Sequence, residues 1–216
     1  MPEKVLGVPT HGYAIQVAED PVHRHKVLLP PGFRKLVQRH AFVGEEPTAA
    51  QPDQVRNMPA ATEYFPQVVD VFLARSIANG GCFMTADGHG AALWFPPGTT
   101  ADEEAANAVF GEAVPEHLGE EFGEFMAGLE SYHPHDADCW YLPLIGVDPA
   151  HQGQGLGGAL MKHANQRIDE QGALGYLEAS SKSNAALYAR HGFEVIGEVK
   201  TASSPTARTM LRERRT

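Results

Sequence analysis

The residues from His151 to Gly158 put Gly153, Gly155, Gly157 and Gly158 between an apolar segment at 141–147 and a helical pattern carried by Leu156, Leu160, Ala164 and Ile168. Glycines at a strand-to-helix corner let backbone approach a ligand with no Cβ in the way. The first turn of the helix adds N–H groups that lack an intrahelical acceptor and carry a partial positive charge. Together they make a cradle for a phosphate or pyrophosphate. Turn formation is the ordinary use of a glycine cluster, but the strand before this one and the helix after it favour a ligand. A nucleotide-triphosphate loop needs Lys followed by Ser or Thr after its last glycine, and here Ala159 and Leu160 stand there. A dinucleotide loop fits Gly153, Gly155 and Gly158, with Glu178 where a ribose-binding acid would fall. Residues 148–152, however, separate the loop from its strand, and too little chain follows Glu178 to complete a doubly wound sheet.

The elements that hold this loop are legible from 140 onward. The strand at 141–147, the helix ending at Gly172 and a strand at 175–179 imply a right-handed crossover between parallel strands. Ser183 is read as the cap of a short helix that passes through Tyr188 and Arg190 and stops at Gly192, and residues 193–196 and 207–211 as late strands. Upstream, Phe65, Val68, Val69, Phe72, Leu73 and Ile77 fall at helical spacing, with a stop at Asn79, Gly80 and Gly81. Strands at 82–85 and 90–95 flank Asp87 and Gly88, a two-residue turn signal. A helix starts near Ala101, and Pro115 opens another that buries Leu118, Phe122, Phe125 and Leu129 and turns Glu116, Glu120, Glu121 and Glu124 to water. His133, His135, Asp136 and Asp138 read as a solvated polar corner rather than a metal set. Residues 1–60 are the least legible, with a strand at 13–17, a His23 to Lys26 patch not expected to bind metal, and a loop at 45–59. They are read as part of the same mixed α/β domain as 61–216.

Bulk properties narrow the class. The chain has 216 residues, 43% of them hydrophobic, enough for one globular core. A net charge of −10 argues against nucleic acid or an anionic membrane as partner and favours a cationic small molecule. No apolar run approaches the ~20 residues of a membrane span, and Met1 to Lys4 lack a secretion-signal layout, so a cytoplasmic protein is expected. Cys82 and Cys139 are expected as free thiols.

One further anion fits the loop, the pyrophosphate of coenzyme A. Gln152, Gly155 and Gly157, after the strand exit at Val147, Asp148 and Pro149, resemble the signature of the GNAT superfamily of N-acetyltransferases. Asn184, Tyr188, Gly192 and Phe193 resemble its later element. Trp140, Tyr141 and Leu142, the run 93–98, and Tyr132 to Pro134 are most similar to the puromycin N-acetyltransferase-like group, although that group has His where Cys139 stands. The resemblance is strong over 140–197 and patchy over 72–134. It implies a mixed α+β fold with a central, mostly antiparallel sheet, two splayed parallel strands and flanking helices. It also implies acetyl-CoA as acyl donor and admits a homodimer.

Acetyl transfer to an amine needs a neutral amine, a positioned carbonyl, donors for the developing oxyanion and a proton for the departing thiolate. The resemblance assigns the backbone of Leu144, Ile145, Gly146 and Val147 to the pantetheine arm and thioester. It assigns the amides of Gln152, Gly153, Gln154, Gly155, Leu156, Gly157 and Gly158 to the pyrophosphate, and Asn184 to the pantetheine or phosphate portion. Tyr188 matches the family tyrosine that reaches the sulfur, and a phenol of pKa about 10 can protonate a thiolate. Asp138, His135 and Glu178 are the candidate bases. The expected activity is transfer from acetyl-CoA to a small primary amine by direct attack in a ternary complex. The alternative is a non-catalytic acyl-CoA-binding regulator of the same fold.

Overall fold

A computed structural model describes residues 15–17, 65–100, 102–135, 138–202 and 204–215. The expectations for residues 13, 14, 23–26, 45–59 and Asp136 lie outside these. Helix α1 (Phe65–Ala78) stops as read from sequence: Gly80 takes φ 71° and Asn79 Nδ2 donates to the Arg75 carbonyl at 2.8 Å. Strands β2 (Cys82–Thr85) and β3 (Gly90–Phe95) form the hairpin, but its connection spans 86–89 instead of two residues. Asp87 widens it, because its carboxylate accepts from Thr85 Oγ1 at 2.6 Å and from the His89 N–H at 3.0 Å.

Helix α2 (Glu103–Ala113) follows, and Pro115 caps a 3-10 turn at Glu116–Leu118 rather than the next helix itself, α3 (Gly119–Glu130). The apolar stripe of α3 is only half-buried, and Glu121 is half-buried with it instead of facing water. The physical reason is position: α3 packs on β6, the edge strand of the sheet, through Gly128 against Val199.

The remaining elements are β4 (Cys139–Val147), a 3-10 turn at Pro149–His151, α4 (Leu156–Glu170), β5 (Leu174–Ala179), α5 (Lys182–Ala189), β6 (Glu194–Val199) and β7 (Ala207–Arg212). With β1 (Ile15–Val17) they make one seven-stranded sheet in the order β1-β2-β3-β4-β5-β7-β6. β4 and β5 are its parallel pair and the other pairings are antiparallel, as the crossover argument requires. The cap of α5 is Ser181, which accepts the Asn184 N–H at 3.1 Å, and not Ser183. Two serines two residues apart offer the same cap chemistry, and the helix begins at the earlier one. No helix among the described residues is long and apolar enough to cross a membrane.

Helices cover both faces. Leu160, Met161, Ala164 and Ile168 of α4 pack on Phe83, Trp94, Trp140, Leu142 and Leu177, while Val69, Leu73 and Ile77 of α1 pack on Met84, Ala91, Leu93 and Leu144. Simple alternation would keep Leu142 and Leu144 on one face. They lie on opposite faces because the register against β3 slips by one residue between Leu93↔Leu144 and Phe95↔Tyr141. The slip is a bulge at Leu142 and Pro143, and Pro143 has no N–H to continue a ladder.

Behind this sheet, Arg212 of β7 is 2% exposed and grips Asp169 of α4 through two bonds of 2.7 and 2.8 Å. Asp169→Ala leaves a guanidinium buried without its counter-charge and is expected to cost about 3 kcal/mol. Arg212→Met leaves a carboxylate that is 34% exposed and water can solvate, so its loss is expected to be smaller. Urea unfolding of the two variants measures the difference, and equal losses would remove the asymmetry.

Candidate active site

Parallel pairing between β4 and β5 runs from Cys139↔Leu174 to Leu142↔Leu177 and ends at the bulge. Beyond it, Leu144 to Val147 still pair with β3, but β5 continues to Ala179 without a partner on the β4 side. A gap therefore opens between the two strands. Backbone groups of Leu144, Ile145, Gly146 and Val147 on the gap side are left for something other than a neighbouring strand.

The glycine loop closes one end of this gap. Asp148 caps the 3-10 turn by accepting the Ala150 N–H at 3.0 Å, and Gln152 Nε2 ties the loop back to the Val147 carbonyl at 3.2 Å. Gly153 and Gly155 have φ values of 74° and 87°, backbone that L side chains rarely adopt, and Gly155 is the N-cap of α4. Residues 152–155 are exposed, and Leu156, Gly157 and Gly158 form the first helical turn ahead of the Ala159-to-Gly155 bond of 2.9 Å. A Cβ at Gly157 would come within 3.3 Å of Leu187 Cδ2, so this glycine also lets α5 sit against α4. Exposed amides, a helix N-terminus and no acidic side chain between Gln152 and Gly158 fit a pyrophosphate.

Helix α5 delivers Tyr188 and Asn184. Tyr188 is 4% exposed and meets Phe193 edge-on, with centroids 6.4 Å apart. Burial, with the charge of Glu178 adding to it, holds the phenol well above its ordinary pKa, so it keeps its proton throughout the neutral range. The Asn184 backbone satisfies the Ser181 cap, while its side chain donates to Ser180 Oγ at 3.3 Å and stays half-exposed. Asn184 is thus not the cap.

Glu178, two residues beyond Tyr176 on the same face of β5, is the most perturbed carboxylate in the site. Burial lifts its pKa from the ordinary 4.5 to about 7, and hydrogen bonds from Tyr141 and Tyr176 oppose part of that rise. The Tyr176 hydroxyl also lies 3.4 Å from the Leu129 carbonyl of α3. His133 stacks edge-on against both tyrosines, at centroid distances of 5.1 Å to Tyr141 and 4.8 Å to Tyr176, and burial lowers its pKa. It is therefore half-buried in the aromatic group and not on a solvated corner. His135 does remain exposed, 3.5 Å from Glu130.

Asp138 stands apart. It is exposed, precedes the first residue of β4, and uses its carbonyl to accept the Leu174 N–H at 2.8 Å. At about 3.3 Å per strand residue it lies roughly 13 Å along β4 from Leu142, where the gap opens. Sequence reading missed Tyr141, Tyr176 and His133. The tyrosines were within reach, because the parallel register that pairs Tyr141 with Tyr176 also puts Glu178 on their face. Cys139 is half-buried and its thiol is pushed up to about 12, with Cys82 raised likewise, so neither is a thiolate near neutral pH. A groove of about 660 Å³ between α5 and β6, lined by Lys182, Ala189, Val195 and Arg208, shares no residue with the gap.

The family model described as "Acetyltransferase (GNAT) domain" matches residues 113–195, from the end of α2 into β6. Among solved structures, the histone acetyltransferase HPA2 and related acetyltransferase from Corynebacterium glutamicum aligns at 22% identity and TM-score 0.57, covering 94% of this chain and 97% of that one. The Drosophila melanogaster polyamine N-acetyltransferase, which forms N-acetylagmatine, aligns at 20% identity and TM-score 0.54, over 92% and 99% of the two chains. Arylalkylamine N-acetyltransferase 2 from Aedes aegypti gives 15% identity and TM-score 0.59, over 92% and 98%. The fold is the mixed α+β GNAT fold, with its splayed parallel pair at β4 and β5. The matched segment, under half of the chain, is similar to a GNAT acetyltransferase domain, and the solved structures share its fold.

The raised pKa of Glu178 has a stability consequence. The folded state holds this proton more tightly than the unfolded chain, so the contribution is fully present below pH 4.5 and is lost as pH rises through about 7. Wild type is expected to lose up to about 3 kcal/mol relative to Glu178→Gln across that window. Urea melts of both proteins between pH 4 and 8 test this, and parallel stability curves would show that Glu178 titrates normally.

Proposed function

We propose that the protein transfers the acetyl group of acetyl-CoA to a primary amine of a small cationic molecule by direct attack in a ternary complex. The observation that carries this reading is Glu178, a carboxylate with its pKa raised to about 7, on the strand that borders the gap, with a fully protonated Tyr188 on the helix that follows it.

Backbone amides from Gln152 to Gly158 bind the pyrophosphate, Asn184 contacts the pantetheine or phosphate portion, and the gap-side backbone of Leu144 to Val147 holds the arm. Bound there, acetyl-CoA supplies a thioester whose carbonyl carbon is open to an amine. Glu178 Oε accepts the proton that the ammonium group must lose, directly or through a water molecule, since a base near pH 7 is matched to that task. As the C–S bond breaks, Tyr188 Oη supplies a proton to the departing sulfur, and the second proton that the nitrogen loses on becoming an amide restores the phenol. Both thiols are held protonated, which favours direct attack over an acyl-cysteine route.

A cationic acceptor is supported by the surroundings of Glu178. The half-buried ring of Tyr141 offers a cation–π contact, Glu130 adds negative charge, and a His133 kept neutral by burial adds no repulsion. The net charge of −10 steers such a molecule inward. Polyamine and arylalkylamine N-acetyltransferases among the structural relatives agree with this class of acceptor. The puromycin N-acetyltransferase-like group remains the finer placement, on the wording of 93–98 and 140–142.

Thiol release from acetyl-CoA, followed with agmatine, spermidine, tryptamine and puromycin, tests the reading; release with none of a broad amine panel, alongside tight CoA binding, would support a non-catalytic binder instead. Tyr188→Phe is expected to slow turnover about ten-fold or more while leaving CoA affinity within a few fold by calorimetry. Unchanged turnover would remove Tyr188 from the chemistry. In wild type, kcat/KM is expected to rise with pH through about 7, as Glu178 ionises. Glu178→Gln should lower kcat/KM about a hundred-fold and erase that limb. A limb that persists in the variant belongs to another group.

A further inference from the structure

At the far end of β4 from Asp138, three side chains that the acetyl-transfer reading does not use come together. His89 ends the connection between β2 and β3, Asp148 follows β4, and His151 closes the 3-10 turn before the glycine loop. The two imidazole rings stack with centroids 3.5 Å apart and 8° from parallel. Asp148 Oδ2 lies 3.8 Å from His151 Nδ1, and one donor atom from each of the three residues lies within 4.8 Å of the others.

Backbone bonds fix this convergence. The Asp148 N–H donates to the His89 carbonyl at 2.8 Å, the His151 N–H to the Asp148 carbonyl at 2.8 Å, and the His89 N–H to Asp87 Oδ1 at 3.0 Å. Within this frame, His151 Nδ1 is shut off from water yet has no hydrogen-bond partner, an arrangement that costs free energy unless something occupies the nitrogen. Each of the three residues is half-exposed as a whole, so an ion can reach the set from solvent.

We propose that His89, Asp148 and His151 form a binding site for a first-row transition-metal dication of the Zn²⁺ type. Two imidazoles and one carboxylate suit Zn²⁺, Ni²⁺ or Cu²⁺ and are a poor set for Mg²⁺ or Ca²⁺, which take oxygen ligands. Water completes the shell. Metal–ligand bonds of about 2.0–2.2 Å require the donor atoms to draw in from their present spacing, and the stacked rings to fan apart so that their lone pairs converge. Rotation about the side-chain bonds of half-exposed residues supplies that movement. A bound ion would join the β2–β3 connection, the exit of β4 and the turn that carries Gln152, and so stiffen the glycine loop.

The test uses the full chain, stripped with a chelator and titrated with Zn²⁺ against a chromophoric competitor. One equivalent per chain is expected in wild type. His89→Ala and His151→Ala should each weaken binding about ten-fold or more, and His135→Ala, which alters the exposed histidine beside Glu130, should not. Zn²⁺ should also raise Tm in wild type and in His135→Ala but not in the other two. Where His89→Ala lowers Tm without metal, His89→Gln replaces it, since its amide keeps the bulk and lacks the ligating nitrogen. Absence of a bound equivalent in wild type, or equal affinity across all the variants, overturns the proposal. Because the readouts are metal binding and Tm, their outcome is independent of whether the chain acetylates any amine.

Discussion

The structure depends on one broken ladder. Parallel strands β4 and β5 hold together for the stretch that ends at Leu142 and Leu177, and there the chain inserts an extra residue against β3 at a proline that cannot donate. From that point β4 follows β3 and β5 follows β7, and backbone groups that a closed sheet would satisfy internally face a gap. An unsatisfied backbone group in a buried place is costly. A gap of this kind persists because the two sides of the sheet are separately packed, α4 on one face and α1 on the other, and the bulge switches Leu144 from the first set to the second. The same feature thus completes the core and opens the site.

Electrostatics within the gap follow from the same geometry. Glu178 and Tyr188 come from the strand and the helix on the β5 side, and both are pushed toward their protonated forms by loss of water. For the phenol this means a hydroxyl that keeps its proton throughout the neutral range. For the carboxylate it means a proton acceptor poised near neutrality, held there by Tyr141 and Tyr176 against a larger rise. A carboxylate on the surface would titrate far below that range and a fully isolated one far above it. The aromatic setting matters beside burial, because it supplies hydroxyl donors that offset part of the rise.

Much of this is legible in the amino-acid sequence. The helix α4, its N-terminal glycines and the parallel strands on either side follow from local pattern: period, caps and breakers act over a few residues and are set by the chain itself. Where local signals were degenerate, the reading slipped by a residue or two, as with Ser181 and Ser183, or with the hairpin connection that Asp87 widens to four residues. The α3 stripe has the period of a buried face, yet periodicity marks which face turns inward and not how much of the sheet lies beneath it.

Amino-acid order alone therefore determined the crossover, the glycine corner at the start of α4 and the elements that carry Tyr188, Asn184 and Glu178, because each rests on residues close together in the chain. Tertiary structure decided which acid belongs to the gap. Asp138 and Glu178 look alike as carboxylates beside neighbouring strands, but pairing Cys139 with Leu174 sends one to the closed, exposed end and the other to the open end between two tyrosines. It also drew His89 to His151 and moved His133 from water onto the aromatic rings. These outcomes depend on strand register and on desolvation summed over groups far apart in sequence, quantities that no local pattern contains.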